Sequence, residues 1–264
     1  RPGRIHRPLP APRRWLERVH HRRYHEALAQ GTLTPAEVRR LGLPPSPALV
    51  RRSWLAVGGT VLTARLAMEE GVACHLAGGT HHAFPDHGSG FCVFNDCAVA
   101  ATVLLAEKRV ERLMVVDLDV HQGDGTATIF RDDPRVFTFS AHGAANFPLH
   151  KPPGDLDLPL PDGLEDGDYL KAVGCRLPGL LEQVRPDLVL YNAGVDPHRD
   201  DRLGRLCLSD AGLLARDRLV LESCLQRRIP VATVIGGGYD RLPALAERHA
   251  LVVRAAAMTA GWSS

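Results

Sequence analysis

The sequence predicts a single-domain α/β protein with a mostly parallel central sheet and helices on both faces. Three observations lead there. Apolar runs of about five residues alternate with longer segments of helical period, the pattern of βαβ units around a parallel sheet. No internal repeat and no domain-splitting linker breaks that alternation. Four strand-like segments end in polar or glycine-rich sequence, at His81-His82, at Asp117/Asp119/His121, at Asp196 and at the three glycines before Tyr239. Ligands of open parallel sheets sit beyond the carboxyl ends of the strands, so these four ends can converge on one site.

Residues 1–45 read as a basic N-terminal segment leading into helices, and 46–264 as one core domain. The stretch 1–23 is rich in Arg and His and carries Pro2, Pro8, Pro10 and Pro12, which predicts a poorly packed surface segment. The start at Arg1 rather than Met reads as a trimmed or incomplete N-terminus. Ser46-Pro47 is an N-cap and first-turn pair, and Val50, Trp54, Val57 and Val61 then form one buried stripe that Gly71 ends. A strand over 72–76 runs into the loop 77–90, followed by a helix over about 96–108 and a strand over 113–116. Residues 136–140 read as a strand, 154–167 as a Pro- and Asp-rich connection, and 169–184 as one helix. A strand over 188–191, a helix from Ser209 to about residue 227, a strand over 229–235 and a helix over about 242–260 complete the pattern.

An apolar share of 45% with 23% charged residues is that of a soluble globular protein. A net charge of +2, from 32 Lys and Arg against 30 Asp and Glu, argues against a nucleic-acid groove or an acidic membrane surface as partner. No run approaches the ~20 apolar residues of a membrane span, and the first residues lack the apolar core of a signal peptide. Six scattered cysteines without a C-x-x-C pair speak against a cysteine zinc site or a disulfide scaffold, and for reduced thiols in a cytosolic protein.

Asp117-Leu118-Asp119-Val120-His121 is the strongest local signal. In extended chain, 117, 119 and 121 point to one side, setting two carboxylates and an imidazole where a strand leaves the core. A buried Asp-x-Asp repels itself without a cation, and oxygen with imidazole nitrogen suits zinc or iron(II) better than calcium or magnesium. Asp196, at the end of another strand, is the best further ligand, since a catalytic zinc takes three protein ligands and keeps one open position. His81-His82 can move protons at neutral pH if a carboxylate orients each ring, and Asp117 and Asp124 are available. Gly236-Gly237-Gly238-Tyr239 lacks the spacing of a phosphate loop; its glycines let backbone approach the site and aim a phenol at a developing oxyanion.

Together these residues resemble the metal-dependent histone deacetylase family, within the arginase–deacetylase fold. The matching stretches are Gly78-Gly79-Thr80-His81-His82-Ala83, Gly88-Ser89-Gly90-Phe91-Cys92-Val93-Phe94-Asn95-Asp96 and residues 117–125, continuing through Asn192-Ala193-Gly194-Val195-Asp196 to Gly237-Gly238-Tyr239. Phe139-Ser140-Ala141-His142-Gly143 through Asn146-Phe147-Pro148 looks most like the compact bacterial and class IV-like members. The resemblance implies zinc ligands at Asp119, His121 and Asp196, and His82 oriented by Asp124 as principal general base and acid. It implies His81 paired with Asp117 as electrostatic partner, Tyr239 polarising the scissile carbonyl, and Phe91 lining an acyl-lysine channel with Gly90, Gly237 and Gly238 around it. It also implies a structural potassium ion at Asp117, Asp119, His121, Ser140 and Ala141. Two departures stand out: no first strand is supplied before about residue 20, and Arg22, within the Val19–Tyr24 stretch, stands where many relatives carry an acid.

The activity so implied is hydrolysis of an acetyl or longer acyl group from the amide nitrogen of lysine in a protein, or of a small acetylated amine. The sequence leaves acyl length, carrier and oligomeric state open. An arginase-type binuclear ureohydrolase is the enzyme rival, but Gly123 and His198 stand where a second ion would want acids. A catalytically silent acyl-lysine binder is the other, against which all proton-transfer and metal groups are intact.

Overall fold

The computed structural model describes residues 4–261; Arg1, Pro2 and the end of the core at 262–264 lie outside it. Among the described residues six strands make one parallel sheet: β1 (Val72–Cys74), β2 (Leu113–Asp117), β3 (Val136–Gly143), β4 (Leu156–Leu160), β5 (Leu188–Asn192) and β6 (Val231–Val234). Their spatial order is β1-β6-β5-β2-β3-β4. The chain moves outward from β2 through β3 and β4, then returns to β5 on the other side of β2. The order therefore reverses between β2 and β5, and a crevice opens at their carboxyl ends.

Alternate side chains of each strand serve opposite faces. Leu113, Val115, Leu188, Leu190, Ala232 and Val234 pack into one core, under α4 (Pro47–Glu70) and α5 (Asp96–Ala106). Met114, Val116, Val189, Tyr191 and Val231 pack into the other, under α7 (Asp166–Gly174), α8 (Leu177–Val184), α9 (Asp210–Leu225) and α10 (Leu242–Ala260). Both faces are covered, which is why β2 and β5 are buried at every residue. Side-chain caps start α4, α5 and α9: Ser46 accepts from the Leu49 amide, Asn95 from Ala98 and Ser209 from Gly212. Among the described residues no helix is long and apolar enough to cross a membrane.

The structure departs from the sequence reading in three places. Residues 154–167 are not wholly a connection, because β4 lies inside them as an edge strand; an edge position is where Pro159 costs the least ladder bonding. The single helix expected over 169–184 is two, α7 and α8, with Pro178 in the first turn of the second. The N-terminal stretch is loosely packed only in part: residues 4–10 are mostly exposed and without regular structure, but the chain docks from Ala11 onward. Ala11, Leu16 and Val19 enter the first core, with α1 (Arg13–Leu16) holding Leu16 inward, and the Ala11 amide bonds to the Trp54 carbonyl at 2.9 Å. Arg22, exposed, pairs with Glu26 within α2 (Arg22–Gln30).

His20 ties that stretch to the loop beyond β1. Its Nδ1 lies 3.0 Å from the Phe84 carbonyl and its Nε2 accepts the Asn95 amide at 3.0 Å, an arrangement only the neutral ring can make. Burial pushes its pKa down to about 4. The unfolded chain takes up this proton near pH ~6.5, so the native state loses stability as pH falls from there toward 4. The stability advantage of the wild type over His20→Gln should shrink by ~2 kcal/mol between pH 7 and pH 5 in denaturant titrations. A difference that is constant with pH would contradict the neutral-ring assignment.

Candidate metal centre and active site

Asp117 is the last residue of β2, opposite Asn192 of β5 and Ser140 of β3. Asp119 and His121 follow β2, and Asp196 follows β5, so the reversal of strand order brings them together. One ligating atom from each of Asp119, His121 and Asp196 lies within 4.8 Å of the others, and all three residues are buried. Backbone amides fix the carboxylates: Val120 donates to Asp196 at 2.8 Å, His121 to Asp119 at 3.0 Å and Gly237 to Asp119 at 2.7 Å. Arg216 of α9, wholly buried, braces the two strand ends from behind. It donates to the carbonyls of Leu118 at 3.2 Å and Gly194 at 2.6 Å while pairing with Asp217 at 2.8 Å.

Electrostatics decides what this cluster can hold. Burial, with Asp119 adding to it, pushes Asp196 up to about 7. Burial opposes charge on His121, but its hydrogen bonds to Asp119 and Asp196 outweigh that and hold it up to about 10. Both shifts express one excess of buried negative charge that a proton or a cation must balance. Two carboxylate oxygens and an imidazole nitrogen fit zinc or iron(II), and three protein ligands leave a fourth position for reacting groups.

The second ion of a binuclear centre has no such fit. A Cβ at position 123 would stand 2.5 Å from an oxygen of Asp117, so no acid can occupy it without displacing that carboxylate. His198 turns away to Asp210, at 3.4 Å, and Asp200, at 3.7 Å.

The two adjacent histidines have different partners and different charges. His81 Nδ1 sits 2.6 Å from Asp117, and His82 Nδ1 sits 2.6 Å from Asp124 at the start of α6 (Asp124–Phe130). Burial disfavours charge on His81, but Asp117 and Asp119 outweigh it and raise the ring to about 9. Burial, with His81 adding to it, lowers His82 to about 4. The rings are 4.0 Å apart, so one dipeptide places a cationic and a neutral imidazole side by side.

Tyr239 stands beside His121, ring centroids 6.0 Å apart, and burial raises its phenol so that it stays protonated. Phe91 lies 6.1 Å from Tyr239, and Phe147 lies 4.9 Å from His82; both rings are half exposed at the mouth of the site. Phe91 has a left-handed backbone (φ 65) held by the Leu41 carbonyl. Gly237 permits a close approach no other residue allows: a Cβ there would stand 2.3 Å from Asp196 and 2.7 Å from Asp119. Gly90 lies against the His82 ring, whereas Gly238 packs on Val195 and Leu245, away from the ligands. Ser140 and Ala141 lie on β3 next to Asp117, and the Ser140 hydroxyl contacts His142 at 2.9 Å.

Sequence reasoning passed over Phe147, Asn192, Arg216 and the Asp96 carboxylate. Asn192 donates to Asp117 at 2.9 Å. Asp96 accepts the amides of Gly79 and Thr80, at 3.1 and 2.8 Å, and so shapes the turn into His81. The hydrophobic run around Asp96, a carboxylate with no exposed surface, was the available sign, because a buried charge implies a structured partner.

A sequence profile of the histone deacetylase domain matches residues 2–256. An uncharacterized protein of Picosynechococcus sp. is 55% identical over 256 residues, covering 97% of this chain and 85% of its own. Histone deacetylase 2 of Arabidopsis thaliana is 34% identical over 69% of this chain, and acetoin utilization protein AcuC of Staphylococcus aureus 32% over 78%. The chain spans 48% and 58% of those two relatives, about half their length. The crystal structure of an HDAC homologue complexed with SAHA superposes with a TM-score of 0.81 at 30% identity, over 97% of this chain and 72% of that one. An HDAC homologue from Aquifex aeolicus gives the same TM-score, 0.81, at 29% identity and the same coverage, 97% and 72%.

Gly237→Ala is expected to weaken zinc binding roughly 10–100-fold, the usual cost of disturbing what holds a ligand in place. Metal content after dialysis against a graded chelator, with circular dichroism as the folding control, measures it. Unchanged zinc retention would show that the backbone approach at Gly237 is not needed by Asp119 and Asp196.

Proposed function

The chain belongs to the histone deacetylase family, which makes it a hydrolase of the deacetylase type, and from that premise we propose a zinc-dependent enzyme that removes an acetyl or longer acyl group from the amide nitrogen of lysine or a related small amine. The observation that carries this reading is the pair of adjacent histidines, each with its Nδ1 on its own carboxylate, beside the Asp119–His121–Asp196 cluster. Asp119, His121 and Asp196 would hold the zinc, and iron(II) fits the same donors. When bound, the ion supplies Lewis-acid polarisation of the amide carbonyl and offsets charge developing on its oxygen.

The chain's own groups divide the rest of the work. His82 keeps its Nδ1 proton and donates a hydrogen bond from it to Asp124, which leaves the Nε2 lone pair free to take a proton from an attacking water. The same ring returns that proton to the leaving amine. His81, kept cationic by Asp117, stabilises negative charge as it develops. Tyr239, kept protonated, donates a hydrogen bond to the oxyanion. Phe91 and Phe147 offer an apolar passage for a linear aliphatic stem, which suits acyl-lysine and acylated polyamine alike. SAHA, bound by the HDAC homologue, is consistent with such a passage there.

A structural potassium ion at Asp117, Asp119, His121, Ser140 and Ala141 belongs to the same reading, supported by the pairing of Asp117 with Ser140 across β2 and β3. A cytoplasmic location is supported by six cysteines that are all free.

Tyr239→Phe should lower kcat by ~10²–10³-fold with zinc content unchanged, as for other oxyanion donors. Steady-state kinetics on an acyl-lysine peptide checks it, and wild-type kcat would remove Tyr239 from the mechanism. The zinc-loaded wild type should hydrolyse at least one member of a series of acyl-lysine peptides and acetylpolyamines. Tight binding without turnover of any of them would favour a silent binder instead.

A further inference from the structure

Tyr239 is carried on the connection between β6 and α10, which has no regular hydrogen-bond ladder of its own. Its backbone is fixed by the segment after Asp196. Asp201 accepts the Tyr239 amide at 2.7 Å, and the same carboxylate accepts the amides of Leu203 at 2.8 Å and Gly204 at 2.9 Å. Arg202 donates through Nε to the Tyr239 carbonyl at 2.5 Å. The next residue, Asp240, is bound by Nη1 of Arg248 on α10.

Arg248 does more than hold Asp240. Its Nη2 lies 2.9 Å from Asp200, in the segment after Asp196, and its Nε lies 3.2 Å from Asp210, in the first turn of α9. One nearly buried guanidinium thus spends three nitrogens on three carboxylates from three segments. His198, two residues beyond Asp196, faces the same Asp200 and Asp210. Nothing in the catalytic reading uses this node.

We propose that Arg248 is a positioning residue for Tyr239, tying the tyrosine's connection to the segment that carries Asp196 so that hydroxyl and metal ligands keep one spacing. The proposal rests on the reading of Tyr239 as the group that polarises the carbonyl. Without the guanidinium, Asp200, Asp210 and Asp240 face one another uncompensated, and Asp240 loses its anchor. Asp200 and Asp210 are largely exposed, so water screens them and the fold survives. What is lost is the placement of the hydroxyl. A displacement of ~1 Å at a reacting group costs on the order of 10²-fold in rate.

The test compares Arg248→Met and Asp240→Asn with wild type, each also in a Tyr239→Phe background, by kcat, KM, zinc per chain and hydrogen exchange of the 236–242 peptide. Arg248→Met is expected to lower kcat roughly 10–100-fold with KM changed less than about threefold, zinc retained and exchange accelerated. Asp240→Asn, at a partly exposed position that does not threaten folding, should move the same readouts in the same direction by less. Neither change should lower kcat further once the Tyr239 hydroxyl is gone. Wild-type kcat and exchange in both variants, or losses that multiply with Tyr239→Phe, would overturn the proposal. Full activity of Tyr239→Phe alone would overturn the reading of the tyrosine instead, and exchange of the 236–242 peptide would still report whether Arg248 holds that connection.

Discussion

Three carboxylates buried within one crevice, Asp117, Asp119 and Asp196, set the terms on which the rest of the structure is arranged. Ionised carboxylates taken out of water cost several kcal/mol each unless they are paired and hydrogen-bonded. Every element around them answers that cost. Asp117 faces His81 and Asn192; Asp119 takes two backbone amides; Asp196 takes one and meets His121. The remaining excess of negative charge is what a bound cation would balance.

Topology supplies the crowding. Two neighbouring parallel strands, β2 and β5, end side by side where the strand order reverses, so their outgoing segments must lie close. Arg216 reinforces this from below by taking up carbonyls of both segments, and its own charge is met by Asp217. The N-terminal elements act from the other side. Tyr24 donates to the Val93 carbonyl at 2.8 Å and His20 takes the Asn95 amide, so the stretch from Phe91 to Asp96 is buttressed before it turns into α5. α3 (Pro35–Leu41) ends against Phe91 itself, through the Leu41 carbonyl. The mouth of the site thus depends on elements some 50 to 75 residues earlier in the chain.

Much of this could be read before any coordinates. The alternation of apolar runs with helical periods is local, and so it predicted an α/β protein with a mostly parallel sheet, as found. Of Asp117, Asp119 and His121, spaced two apart, the last two lie together with Asp196, while Asp117 faces His81 and Asn192. What escaped is what depends on partners far away in sequence. Leu156-Asp157-Leu158-Pro159-Leu160 pairs with β3, but Pro159 and the flanking glycines and aspartates mask it as a strand. The Arg- and Pro-rich N-terminal stretch looks poorly packed by composition, yet from Ala11 onward three apolar side chains and one neutral histidine help to dock it. Arg216, Asp201 and Arg248 carry no motif at all. Their importance lies in carbonyls, amides and carboxylates that only the fold places around them. Phe147 is likewise an ordinary aromatic until it is seen edge-on to His82.

Anomalous diffraction at the zinc edge, from crystals of the zinc-loaded protein, tests the charge argument most directly. One strong peak per chain is expected, within bonding distance of Asp119, His121 and Asp196 and of no fourth protein side chain. Two peaks in the crevice, or none under saturating zinc, would contradict the account of these buried carboxylates as a mononuclear cation site.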